Sequence, residues 1–85
     1  MRHYKERFRS LFREELLQAR CRMCLTQEEM SERMGISARS YSDLERGKRG
    51  PSALSLMGFL QILTQEERRR MVEAFRALEE EGGEQ

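Results

Sequence analysis

The stretch "LTQEEMSERMGISARSYSDLERGKRGPS", residues 25–52, decides the fold. Thr26 is a good helix N-cap, and Glu29 lies three residues later, the spacing of a capping box. Leu25 and Met30 occupy the positions of a hydrophobic staple, and Met30 and Met34 fall on one face. Gly35 supplies the left-handed residue that ends this helix. After only three residues, 35–37, a second short helix starts: Ser37 caps it and Ile36 can staple to Tyr41. It ends at Arg46, with Gly47 as terminator. Two short helices joined by so tight a turn must cross steeply, which predicts a helix-turn-helix over residues 26–46.

The second of these helices carries few large apolar groups. At about 100° per residue, Ile36, Tyr41 and Leu44 point to one side with Glu45 close by. Arg39, Asp43 and Arg46 point to the other, flanked by Ser42, with Ala38 in the first turn and Ser40 at one flank. Small residues let the backbone approach a groove. Arg can bond the O6 and N7 of guanine, Ser several base edges, and Asp can accept from cytosine N4. The N-termini of both helices suit phosphate. Gln27 in the first turn of one helix, and Lys48 and Arg49 after the other, suit clamps on a nucleic-acid backbone.

Outward from this unit, Tyr4, Phe8, Leu11, Phe12, Leu16, Ala19 and Met23 recur at three- and four-residue steps and predict a first helix over 4–23. Arg7, Arg9 and Arg13 read as its solvated face. Pro51 and Ser52 start a fourth helix, "SALSLMGFLQIL". Its apolar residues wrap much of the circumference, which predicts the most buried helix, and Gly58 inside it allows close helix contact. "LTQEE" at 25–29 returns at 63–67, a reused start signal with Thr64 and Glu67 as a second capping box. Met71, Val72, Ala74, Phe75 and Leu78 give the apolar face of a fifth helix. The acidic end, 81–85, reads as a disordered tail.

Composition agrees with an all-α chain. Of 85 residues only five are β-branched (Thr26, Ile36, Ile62, Thr64 and Val72), and Leu, Met, Glu, Arg and Gln dominate. The length suits one domain, placed at 1–80. Net charge is +1, but unevenly spread: seven Lys/Arg against three acids in 1–24, and four against seven in 52–85. A basic front hints at an anionic partner. No stretch approaches a transmembrane span, and "MRHYKERFRS" lacks a signal peptide's apolar region, so a cytoplasmic protein with reduced thiols is expected. One His near the start, without a paired nucleophile or a phosphate-binding glycine loop, gives no support to catalysis. No cofactor is implied.

"LTQEEMSERMGISARSYSDLERGKRGPS" resembles the helix-turn-helix of the phage-repressor, lambda-repressor-like or Xre-type transcriptional regulators. The likeness runs from about Leu16 to Leu63 and rests on L-T-Q-E-E, Gly35, the apolar residue at 36 and L-E-R-G-K. It implies a compact five-helix bundle, bacterial or phage-encoded, that grips a two-fold double-stranded DNA operator as a homodimer. By position it implies that Ser37, Ala38, Arg39, Ser40, Ser42 and Asp43 face bases or backbone, and that Gln27, Arg46, Lys48 and Arg49 meet phosphate. Gln27 would also brace the first recognition residue. Glu45 would pair inside with Arg20 of the first helix. Ala38 leaves direct readout leaning on Arg39 and Asp43. Ser31 stands where alanine is preferred, and its small size keeps the two helices close. Cys24 stands where glycine is common: either it strains a left-handed conformation or the loop differs.

Other readings compete at several places. "CRMC", 21–24, offers two thiols where a structural zinc needs four ligands, so no metal site is expected within one chain. Helices four and five are the candidates for a dimer contact. Tyr4, Phe8 and Phe12 read as core rather than as stacking platforms. The alternative function is a protein-interaction module, an antitoxin, anti-repressor or accessory subunit, on the same scaffold.

Overall fold

A computed structural model describes residues 2–83, with side chains over 5–78. Five helices follow in order: α1 (Arg2–Met23), α2 (Gln27–Met34), α3 (Ala38–Glu45), α4 (Ala53–Leu60) and α5 (Gln65–Gly83), with no strand among the described residues. The all-α, five-helix reading therefore holds.

Each boundary has a local chemical cause. At α2, the Thr26 hydroxyl accepts from the Glu29 amide at 3.1 Å, and the Glu29 carboxylate accepts from the Thr26 amide at 2.9 Å. The reciprocal pair recurs before α5, between Thr64 and Glu67, at 3.1 and 2.8 Å. Ser37 and Ser52 cap α3 and α4 by accepting from Ser40 and Ser55. Three helices end in the same left-handed turn. Gly35 (φ 76°) and Gly47 (φ 74°) close α2 and α3. In each turn the amide one residue further on bonds back across six residues, Ile36 to Ser31 and Lys48 to Asp43, both at 3.0 Å. Cys24 (φ 58°) closes α1 in the same way, with Leu25 bonded to Arg20 at 3.1 Å. Of the two readings of Cys24, the left-handed one is what the structure adopts.

The core gathers Phe12, Leu16, Ala19, Met30, Met34, Tyr41, Leu44, Phe59, Leu63 and Met71. Phe12 meets Phe59 edge-on at 5.3 Å, and Phe8 meets Phe75 edge-on at 5.6 Å. Arg22 near the end of α1 bonds Glu67 at the start of α5, at 3.0 Å. With Phe8 on Phe75 near the other end, α1 and α5 run antiparallel. The Tyr4 side chain lies outside those described.

Ser31 is buried and bonds its own helix at the Glu28 carbonyl, 2.7 Å away. At Gly58 of α4, an added Cβ would lie 2.2 Å from the Met34 carbonyl oxygen. This close approach of backbones overturns the expectation for α4. The helix buries its small side, Ser55 and Gly58, together with Phe59. Leu54 and Met57 are thereby turned outward, at 76% and 64% exposed, so α4 is not the most buried helix. It is also shorter than expected, ending at Leu60 with Gln61 as cap. Arg68 bonds the freed carbonyls of Leu60 and Leu63, at 2.9 and 2.8 Å. On α5, Val72 is exposed rather than core. Residues 81–83 continue α5 where a tail was expected, and 84–85 lie outside the described residues.

Candidate nucleic-acid interface

The residues that stand outward on α3 are held there by what happens behind them. Tyr41 and Leu44 are buried, and so is the charged Glu45. A buried carboxylate is costly unless its oxygens are bonded. Arg20 donates to both, Nε to Oε2 at 2.7 Å and Nη2 to Oε1 at 3.2 Å. The Tyr41 hydroxyl donates to Oε2 and the Gln27 amide to Oε1, each at 2.6 Å. Arg20 also bonds the Leu25 carbonyl at 3.1 Å, and Arg13 bonds the Glu45 carbonyl at 2.7 Å. One carboxylate thus ties α1, the start of α2 and the last turn of α3 together. Among the described residues no buried polar side-chain atom is left without a partner.

The electrostatics follow. Burial works to raise the Glu45 pKa, but the bonds from Arg20, Tyr41 and Gln27 outweigh it and hold the carboxyl below its ordinary value. Burial, then the bond to Glu45, pushes the Tyr41 hydroxyl well up, so it remains a donor. The bond to Glu45 raises Arg20 further.

On the opposite side, Ser37, Ala38, Arg39, Arg46, Lys48 and Arg49 are exposed, and Ser40, Ser42 and Asp43 are partly so. All nine belong to α3, its N-cap and the turn that follows it. Two departures matter. Gln27, expected on phosphate, has its amide nitrogen committed to Glu45 in the unbound protein. Arg49 folds back over α3: its Nη2 lies 3.2 Å from the Ser40 hydroxyl and 3.9 Å from Asp43 Oδ2. The two helix N-termini also differ. The first turn of α2 carries Glu28 and Glu29, whereas that of α3 has no acid, so the N-terminal amides of α3 are better placed to donate to phosphate.

Sequence reasoning missed two members of the cluster around Glu45. Arg13, taken as solvated face, bonds across to α3; its signal was the seven-residue spacing to Arg20, two turns along one face. The Tyr41 hydroxyl was missed although Tyr41 and Glu45 are four apart on one helix, a spacing that lets side chains meet. Cys21 and Cys24 are exposed unbridged thiols. Among the described residues, no three His, Cys, Asp or Glu side chains gather as a metal site, and no helix is long and apolar enough to cross a membrane.

A family model described as helix-turn-helix matches residues 16–63, which contain α2, α3, α4 and the last eight residues of α1, Arg20 among them. No curated protein and no solved structure matches the chain. The match covers more than half of the sequence and both partners of the Arg20–Glu45 pair. The chain belongs to the helix-turn-helix family of the Xre and lambda-repressor type, a family of DNA-binding domains.

Proposed function

We propose that the chain is a sequence-specific transcriptional regulator that lays α3 in the major groove of double-stranded DNA. The observation that carries this is the two-sidedness of α3. Its inner face is fixed by Tyr41, Leu44 and the four-donor Glu45 site, while Ser37, Ala38 and Arg39 stand exposed at its N-terminal end. Arg39 is the residue suited to guanine, Asp43 to cytosine, and Ser37, Ser40 and Ser42 to base edges or backbone. Arg46, Lys48 and Arg49 suit phosphate, and Gln27 joins them if it releases Glu45.

The chain acts as a homodimer in the cytoplasm, each copy reading one half of a two-fold operator. Leu54 and Met57, three apart on the uncharged helix α4 and both exposed, support a contact between copies. Half-site centres then lie about 10 bp apart. The same apolar pair is the observation that favours the second reading, an antitoxin or accessory subunit that holds a different protein.

Selection of bound DNA from a randomised duplex pool tests the proposal. Wild type enriches a two-fold motif, and Arg39→Ala loses the enrichment at one position in each half. Enrichment of nothing by wild type, or of the same motif equally well by Arg39→Ala, contradicts it.

A further inference from the structure

We infer that Arg49 sets what the recognition helix reads, by positioning Asp43 and Ser40, and is not only a clamp on the DNA backbone; this rests on the DNA-binding reading above. Arg49 lies four residues beyond the end of α3. The left-handed turn at Gly47 bends the chain back, with Gly47 bonded to Leu44 at 3.1 Å and Lys48 to Asp43 at 3.0 Å. The guanidinium therefore returns over the helix instead of leaving it. Nη2 donates to the Ser40 hydroxyl at 3.2 Å and lies 3.9 Å from Asp43 Oδ2.

Each contact decides a chemical preference. A serine hydroxyl can donate or accept. With Arg49 donating to it, the Ser40 oxygen is supplied, and its own proton is left to donate to an acceptor on a base edge. An aspartate on a groove-facing surface is repelled by the phosphates on either side. The cation of Arg49, 3.9 Å from Oδ2, offsets that repulsion and draws that oxygen to its side, leaving Oδ1 to accept from cytosine N4. Lys48, one residue earlier and exposed, is the contrasting case of a charge that suits phosphate alone. Both contacts come from Nη2, and the rigid guanidinium plane holds that nitrogen between the two groups, which the flexible stem of a lysine does not.

The test uses the duplex that wild type enriches, together with every single-base variant of it. Affinities are measured for wild type, Lys48→Ala, Asp43→Ala, Arg49→Ala, Arg49→Lys and the double variant Asp43→Ala/Arg49→Ala. Lys48→Ala should weaken all duplexes alike and reduce the salt slope by about one unit. Arg49→Ala should also lose discrimination at one or two positions, from about 10-fold or more to under about 3-fold. Arg49→Lys should restore the salt slope without restoring discrimination, and at the position that Asp43 reads the double variant should discriminate no worse than Asp43→Ala alone. Uniform weakening by Arg49→Ala with every base preference kept, or full rescue by Arg49→Lys, overturns the inference. A wild-type chain without base preference overturns the sequence-specific reading, and this inference with it.

Discussion

Arg20 grips Glu45 with two hydrogen bonds, at 2.7 and 3.2 Å, and so fastens α1 to the last turn of α3. The Glu45 side chain is 6% exposed and that of Arg20 23%, so the pair is shielded from solvent far more than a surface bridge. Removing one partner strands the other. Arg20→Ala should therefore cost about 3 kcal/mol, a large part of the stability of a small domain. Arg20→Lys should recover only part, because a lysine cannot supply the fork. Urea denaturation measures both; a loss under about 1 kcal/mol for Arg20→Ala would contradict the role given to the pair.

Glu45 also predicts how stability responds to acid. Its carboxyl is held below the ordinary value of 4.5 in the folded chain. A depressed acid contributes stability that is present above the unfolded value and lost as pH falls through the folded one. Glu67 has the same sign: burial opposes its charge, but the Thr64 amide and Arg22 outweigh it. Glu15 has the opposite sign, because burial raises it, and offsets part of the effect. Stability should fall as pH drops below about 4.5. Glu45→Gln should be less stable at pH 7 and respond less steeply to acid. An acid limb of unchanged slope in that variant would remove Glu45 from the explanation.

The closeness of α2 and α4 is equally testable. Gly58→Ala puts a methyl where the Met34 carbonyl oxygen would be 2.2 Å away, and backbone cannot step aside cheaply. The expected cost is about 2 kcal/mol, or roughly 10 °C in melting temperature. A thermal melt indistinguishable from wild type would mean that the two helices are not packed so closely.

Cys24 points the other way. It holds a left-handed conformation that costs a non-glycine residue energy, at the position where Gly35 and Gly47 serve the next two helices. Cys24→Gly should stabilise the chain by about 0.5–1 kcal/mol, less than the strain relieved because glycine loses more entropy on folding. A lower melting temperature would show that the thiol makes a contribution larger than its strain.

What could be read in the sequence was local. The capping boxes at Thr26 and Thr64, and the glycine stops at 35 and 47, each depend on residues within about five positions. Such signals survive without knowledge of the rest of the chain. The inward Tyr41 and Leu44, and the outward Arg39, followed from periodicity within one helix. The partner of Glu45 came from resemblance, since α1 and α3 meet across 25 residues of sequence. Long-range geometry was not legible. Leu54 and Met57 belong to a helix apolar on most sides, and which side faces out depends on where Gly58 lets α2 approach. Arg49 was legible as a cation but not as a neighbour of Ser40 and Asp43, because a left-handed turn set its direction.

On the proposed function, the polar side of α3 and the turn after it meet a nucleic-acid duplex. Affinity for duplex DNA across a range of salt concentrations tests this most directly. If α3 and its flanking cations neutralise phosphates, log affinity falls linearly with log salt, by about 0.9 for each phosphate met, and the slope lessens in Lys48→Ala. Duplex binding that does not change with salt, or that Lys48→Ala leaves with the same slope, would rule out phosphate contact by this surface.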